Sequence, residues 1–172
     1  MFVTKKMIAF LPGITFLLMG FLLHACESKS GKLAVGRQAP NFTYTNLNGE
    51  TQELKDLKGK VILLRFWADW CLVCTAEMPI IERFYLKTKA DGLTILAVNL
   101  KQSEKTVKAY VQKLNLSFPI ALDPKGKIAQ RYNVRGLPWN FVINKQGILK
   151  DILAGEIGDE QMLREFFEPY IL

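Results

Sequence analysis

The sequence predicts a single α/β domain over residues 33–172, built on a central mixed sheet flanked by helices. The first observation is an apolar run at residues 61–66, followed by a helical pattern and a second apolar run at residues 93–98. Strand, helix and strand in this order favour a parallel βαβ unit. The second observation is a pair of strand-like runs, at residues 139–143 and 148–153, which are joined by a turn and followed by a helical pattern. These two runs are expected to pair antiparallel, which makes the sheet mixed.

The chain begins with a leader, residues 1–25, that has the layout of an export signal. Lys5 and Lys6 precede a largely apolar run at residues 7–23 that contains no acidic residue. An uncleaved signal anchor is the alternative, because the run is close to the roughly 17-residue lower limit for a membrane span. A buried core helix is disfavoured by the basic flank. Either way, the domain is expected to face the outside of the cytoplasmic membrane.

The leader ends in Leu23-His24-Ala25-Cys26, which resembles a bacterial lipobox. The resemblance implies that Cys26 is lipidated and becomes the first residue of the mature protein. Residues 26–32 are short and polar, so they are expected to form a flexible tether between the lipid and the domain. The sequence therefore predicts an extracytoplasmic lipoprotein that is anchored to the membrane and faces the periplasm or the cell surface.

The chain carries a moderate basic excess, with a formal net charge of +7 at pH 7. Its lysines are scattered and the export signal takes it out of the cytoplasm, so nucleic acid is a poor partner. The charge is compatible with an anionic lipid surface or with acidic partners. The plainer interpretation is an ordinary solvated surface.

Before the first long strand, the sequence predicts a hairpin and a single helical turn. Asn48-Gly49 separates two short strand-like runs, and both of its residues tolerate the positive φ that a tight hairpin turn requires. Residues 54–59 follow as one helical turn closed by a glycine. This segment is therefore expected to be an amino-terminal β-hairpin extension of the domain.

The chemistry is expected at Cys71 and Cys74, which stand three residues apart where the strand at residues 61–66 gives way to a helical pattern. At this spacing on a helix, two sulfurs can join without much movement of the backbone. A cysteine at the helix start has its thiolate favoured by unpaired N–H groups, and the second cysteine can resolve a mixed disulfide from within. An inert disulfide and half of a zinc site are the alternatives. Zinc needs about four ligands, and the chain offers no second cysteine pair and no histidine except His24.

Three further helices are predicted beyond the cysteine helix. Ser103 can cap the first of them, and Asp159 can cap the last. A short helix is expected between these two. Helical spacing predicts the buried face of each helix. In the first helix the face includes Val107, Tyr110, Val111 and Leu114, and in the short second helix it includes Ile128, Ala129 and Tyr132. In the last helix it includes Met162, Leu163, Phe166 and Phe167.

The residues around the cysteine pair resemble the active site of the TlpA/ResA group, membrane-attached thioredoxin-like thiol-disulfide oxidoreductases of bacteria. The motif that carries the resemblance is Phe66-Trp67-Ala68-Asp69-Trp70-Cys71-Leu72-Val73-Cys74, followed by Glu77-Met78-Pro79. The resemblance extends over nearly all of residues 33–172. It implies a thioredoxin-like fold with an amino-terminal hairpin extension and a central insertion. The lead-in at residues 39–60 also resembles that of the peroxiredoxins and does not separate the two groups.

The resemblance assigns supporting roles to residues outside the cysteine pair. In thioredoxin-like proteins, a proline at this place in the chain follows a cis peptide bond and lies against the cysteines. The resemblance assigns this role to Pro138. The backbone of Leu137 is then presented to a substrate peptide, with Trp70 as a further support. Trp139 stands where threonine is common, so its ring either lines a substrate groove or packs in the core.

Two positions depart from the family pattern at sites that bear on redox chemistry. Arg65 stands where members often carry aspartate or asparagine, and strand alternation places it on the same face as Leu63 and Trp67. A cation there would stabilise a thiolate, and we expect Arg65 to be partly buried and paired with Glu77, which would cancel much of that effect. The alternative is that Arg65 extends to solvent. Gln102 stands where haem-maturation members carry an acidic residue, which argues against apocytochrome c as the substrate.

The sequence therefore predicts an extracytoplasmic enzyme that reduces protein disulfides through a Cys71/Cys74 cycle. No cofactor is expected, because no Gly-rich dinucleotide fingerprint is present, so electrons come from a donor protein. The resemblance implies protein disulfides as substrates, with apocytochrome c as one candidate. The alternatives are a peroxidase of the peroxiredoxin type and a non-catalytic binding module that keeps the fold. Ala68 stands where the peroxidase would carry threonine. The altered Leu72-Val73 pair and Trp139 motivate the binding module.

Overall fold

The structure is a computed structural model that describes residues 33–171. The predicted signal, the tether and the lipidation site at Cys26 lie outside the described residues. The strands are β1 (Thr43–Asn46), β2 (Thr51–Glu53), β3 (Val61–Trp67), β4 (Leu93–Leu100), β5 (Ile120–Asp123), β6 (Trp139–Ile143) and β7 (Leu149–Ala154). The helices are α1 (Leu72–Thr88), α2 (Glu104–Lys113), α3 (Lys127–Arg131) and α4 (Glu160–Ile171). No helix among the described residues is long and apolar enough to cross a membrane.

The seven strands form one mixed sheet in the order β2-β1-β5-β4-β3-β6-β7. Strands β3, β4 and β5 are parallel to one another, while β6 and β7 add antiparallel on one side and β1 and β2 on the other. The predicted βαβ unit, the predicted hairpin and the carboxyl-terminal antiparallel pair are all present. The expected α/β fold with a central mixed sheet is therefore confirmed.

Strand β5 is the element that the sequence did not predict. Its four residues are flanked by prolines, and nothing in their pattern distinguishes a strand from a connecting loop. The strand forms because it can pair with β4 on one side and with β1 on the other. The amino-terminal hairpin is consequently part of the main sheet rather than a separate extension.

The sheet is buried on both faces, and β3 contributes to both cores. Leu63 and Trp67 point into the core beneath α1, α2 and α4, together with both cysteines. Leu64 and Phe66 point into the core beneath α3 and the amino-terminal lead-in. This alternation is the one predicted from the sequence, and it assigns Arg65 to the face that carries α1.

One end of the sheet gathers the residues of interest, and we call it the cysteine end. The parallel strands β3, β4 and β5 finish there, and the antiparallel strand β6 begins there. The loop that follows β3 leads directly into the cysteine pair, and Pro138 immediately precedes β6. Segments far apart in sequence therefore converge on the two sulfurs.

Candidate active site

Cys71 is the amino-terminal cap of helix α1, so the helix begins at the first cysteine. The backbone N–H of Cys74 lies 3.3 Å from the Cys71 sulfur and points at it. The two cysteines form a disulfide, with their Cα atoms 5.2 Å apart. Unpaired N–H groups and the helix dipole favour negative charge at this position, which is the environment that stabilises a thiolate once the disulfide is reduced.

The two sulfur-bearing residues differ in accessibility. Cys71 is 8% exposed and Cys74 is fully buried. The neighbouring side chains Trp70, Leu72 and Val73 are 63%, 83% and 41% exposed, an unusual density of apolar surface around the start of α1. A partner disulfide can therefore reach Cys71 across an apolar rim, whereas Cys74 can be reached only from within the protein.

The peptide bond between Leu137 and Pro138 is cis, as the family resemblance implied. The register of β3 against β6 pairs Phe66 with Trp139, which puts Pro138 beside the end of β3, just before the loop that carries Cys71. Leu137 packs against the core that contains both cysteines. The structure thus brings this proline to the cysteine end of the sheet.

Trp139 packs against the opposite core and is half-buried. Its indole N–H is buried and has no acceptor among the described residues. Core packing explains why the Trp139 ring is half-buried, but it provides no acceptor for the indole N–H among the described residues. A role for Trp139 in substrate binding therefore stays a prediction.

Arg65 is fully buried and is held by two partners from other elements. One guanidinium nitrogen forms a salt bridge with the Glu77 carboxylate, and the other donates a 2.8 Å hydrogen bond to the side-chain oxygen of Asn140. Burial lowers the pKa of the guanidinium, and the Glu77 charge opposes that shift. The predicted ion pair is therefore present. The expectation of partial burial is wrong and the solvent-directed alternative is excluded, because the side chain is fully buried and bound by Glu77 of α1 and Asn140 of β6.

Glu77 and Asn140 extend the contacts of Arg65 to the backbone beyond β7. The second carboxylate oxygen of Glu77 accepts hydrogen bonds from the backbone N–H groups of Ile157 and Gly158. The Asn140 amide donates to the carbonyl of Gly155 over 2.9 Å. The ion pair therefore ties the cysteine helix to β3, β6 and the β7–α4 connection.

A second polar cluster holds the loop between β3 and Cys71. The Gln102 side-chain oxygen accepts hydrogen bonds from the Asp69 backbone N–H at 2.9 Å and from the Asn99 side chain at 2.8 Å. Its amide nitrogen donates to the Asp69 carboxylate. Burial raises the pKa of Tyr110, and the Asp69 charge adds to this shift. Gln102 thereby fixes a residue two positions before Cys71.

The contribution of the Asp69–Gln102 contact to stability can be tested by exchanging the carboxylate and the amide between the two positions. Gln102→Glu is expected to lower the free energy of unfolding by about 1–3 kcal/mol, because two carboxylates then face each other and one hydrogen bond is lost. The exchanged pair Asp69→Asn with Gln102→Glu retains the hydrogen-bond geometry and the net charge, so it is expected to recover most of the loss. Urea denaturation of the two single variants and the double variant measures the coupling. Additive effects of the two substitutions would contradict the contact.

The sequence did not predict the contributions of Asn140, Asn99, Asp69 and Tyr110. Asparagines carry no periodicity signal, and their partners come from other strands and loops. The one available signal was the predicted burial of a cation at position 65, which requires an acceptor nearby. Among residues 33–171, no cluster of three or more histidine, cysteine or acidic side chains is placed to hold a metal ion.

The chain matches the AhpC/TSA family over residues 35–152. It is 40% identical over 145 residues to the thiol-disulfide oxidoreductase ResA of Bacillus cereus, which covers 84% of each chain. The thioredoxin-like protein YneN of Bacillus subtilis is 39% identical over 144 residues, covering 82% of this chain and 84% of its own.

Solved structures show the same relationship in three dimensions. A Chlorobium tepidum protein described as thiol:disulfide interchange protein DsbE superposes with a TM-score of 0.76 at 30% identity. The match covers 81% of this chain and 99% of that chain. The predicted thioredoxin-like fold is thereby confirmed.

Proposed function

Because this chain belongs to the AhpC/TSA family and is a thiol-disulfide oxidoreductase of the TlpA/ResA type, we propose that it works outside the cytoplasm as a reductase of protein disulfides. The observation that carries the proposal is the unequal exposure of the two cysteines. Cys71 lies at a helix start within an exposed apolar rim, and Cys74 lies buried one helical turn further on. This arrangement suits an attacking and a resolving thiol.

The proposed reaction begins with the reduced pair. The Cys71 thiolate attacks one sulfur of the substrate disulfide, which breaks that bond, forms a mixed disulfide and releases the other substrate sulfur as a thiol. The Cys74 thiolate then attacks the Cys71 sulfur, which closes the Cys71–Cys74 disulfide and releases the second substrate thiol. Two electrons and two protons pass from the enzyme to the substrate. A donor protein must return them before the next cycle.

Supporting residues are proposed for the substrate peptide. Trp70 offers an exposed ring beside the attacking sulfur, and the backbone at Leu137 and Pro138 lies at the same end of the sheet. Trp139 follows this proline, and its indole N–H has no acceptor among residues 33–171. We assign these four residues to holding the polypeptide on either side of the attacked disulfide.

The location and the substrate are part of the proposal. The leader with Cys26 supports a lipid-anchored protein that faces the periplasm or the cell surface. Protein disulfides are the expected substrates, with apocytochrome c as one candidate. Gln102 argues against this last substrate, because its amide is engaged with Asp69 and supplies no charge at the active site.

The reduction potential of the Cys71/Cys74 couple tests the proposal. The chain is equilibrated in a series of dithiothreitol or glutathione buffers, and the oxidised fraction is measured by mass after alkylation. A value near or below about −250 mV agrees with a reductase, whereas about −120 to −180 mV indicates an oxidase or isomerase. Failure to equilibrate would show that the disulfide is structural and would support a binding module.

A further inference from the structure

Three exposed lysines lie close together at the cysteine end of the sheet. Lys101 directly follows β4, and Lys125 and Lys127 stand around the turn that follows β5. Because these strands run parallel to β3, their ends point the same way as the end that leads to Cys71. The backbone N–H of Lys101 donates to the carbonyl of Asp123, which fixes one loop against the other at 3.0 Å.

Lys101 adopts a conformation that its side chain disfavours. Its φ is +57°, in the left-handed region that glycine or asparagine occupies at lower cost. Its side chain lies over Gly126, where an added Cβ would come within 2.9 Å of the lysine Cε. A glycine between Lys125 and Lys127 therefore leaves room for the Lys101 side chain, which lies over the segment that carries the other two lysines.

Nothing in the described part of the chain neutralises this cluster. None of the three lysines takes part in a salt bridge there. The nearby acidic groups are already engaged. Asp123 is buried and accepts a hydrogen bond from the Ala129 backbone, Glu104 pairs with Lys108, and Asp69 binds Gln102. The cluster is thus a patch of unpaired positive charge that is open to an acidic group of another molecule.

The cluster lies at the same end of the sheet as the reactive surface. Gln102, the residue after Lys101, binds the loop that carries Trp70 and Cys71. The ends of β3 and β5 are two strand spacings apart, about 10 Å, which an extended chain covers in about three residues. A polypeptide whose cysteine is at Cys71 therefore needs at least three further residues to reach the lysines.

We propose that Lys101, Lys125 and Lys127 form a docking surface for an acidic segment of the protein substrate, next to the disulfide that Cys71 attacks. The proposal rests on the reductase function proposed above and adds the charge of its substrate. The apolar rim at Trp70 and Leu72 receives the residues that flank the disulfide. The lysines then select among substrates by the sign of the charge further along the chain.

Two disulfide-bonded peptides with an identical core test the preference. One carries three glutamates and the other three lysines, beginning three residues from the cysteine. The reduced full-length chain is expected to reduce the glutamate peptide about tenfold faster at low salt, and the ratio should fall towards one as salt screens the charges. Stopped-flow tryptophan fluorescence and quantification of the released peptide thiols give the rates.

Matched triple variants separate the cluster from net charge. Lys101→Gln, Lys125→Gln and Lys127→Gln together are expected to bring the ratio of the two rates close to one. Lys58, Lys60 and Lys145 are exposed at the opposite end of the sheet, and their substitution by Gln removes the same charge. This control variant is expected to keep the preference of the unaltered chain for the glutamate peptide. Thermal melts establish that both variants are folded.

Equal rates for the two peptides, or an equal loss of preference in both triple variants, would overturn the docking surface. A cluster variant that loses binding to phosphatidylserine vesicles while its peptide preference is unchanged would overturn it in favour of a lipid surface. If neither peptide is reduced by the unaltered chain, the proposed reductase function fails. In that case, calorimetry still measures the affinity of the oxidised chain for each peptide and shows whether the acidic peptide binds more tightly.

Discussion

Cys71→Ser is expected to abolish disulfide exchange, with a rate loss of at least about a thousandfold, because the attacking thiolate is removed. Cys74→Ser is expected to behave differently. Its Cys71 still attacks a substrate disulfide, but no buried thiol remains to release the product. A mixed disulfide between enzyme and substrate therefore accumulates, and it is detected as a mass increase that disappears on reduction.

The pair of variants distinguishes the proposed roles of the two cysteines. The unaltered chain, assayed with the same peptide disulfide, is the control and is expected to show only transient adduct. A stable adduct on Cys71→Ser, with none on Cys74→Ser, would reverse the roles assigned here. Peroxide consumption that survives in Cys74→Ser would instead support the peroxidase alternative.

Arg65→Met is expected to lower the free energy of unfolding by about 3–5 kcal/mol, because it leaves the Glu77 carboxylate buried without its cation. Methionine fills a similar volume, so loss of packing contributes little. The double variant Arg65→Met with Glu77→Gln is expected to recover more than half of this loss. Glutamine stays neutral and keeps an oxygen for the N–H groups of Ile157 and Gly158.

The loss in Arg65→Met is expected to depend on pH. An unpaired buried carboxylate is accommodated most easily as the neutral acid, so the folded variant takes up a proton that the unfolded chain releases. The difference in the free energy of unfolding between the variant and the unaltered chain is then largest at alkaline pH and becomes smaller as the pH falls. Urea denaturation over a pH series measures it. A deficit that is the same at every pH would show that the charge of Glu77 is not its cause.

A redox role for the Arg65–Glu77 pair stays a prediction. Glu77 lies one helical turn beyond Cys74, and Glu77→Gln leaves the Arg65 cation without an opposite charge. The cation then favours thiolate and the reduced form, so the reduction potential should rise. The Arg65→Met and Glu77→Gln double variant, which lacks both charges, is the control.

The features of this protein that depend on local pattern can be predicted from its sequence. The alternation in β3 predicted which side chains enter each core, and the apolar runs predicted the βαβ unit around the cysteines. The spacing of Cys71 and Cys74 placed a reactive pair at a helix start. These features depend on residues within a few positions of one another, where periodicity and capping preferences act directly.

Other features depend on the register of the sheet and on contacts between loops, so only the folded structure shows them. Strand β5 exists because β1 and β4 flank it, and Arg65 finds Asn140 because β3 and β6 pair in one register across 75 residues of sequence. The Lys101 side chain meets Gly126 only where the ends of β4 and β5 come together. Residues so far apart carry no shared local signal, and a one-residue change of register would move each side chain to the other face of the sheet.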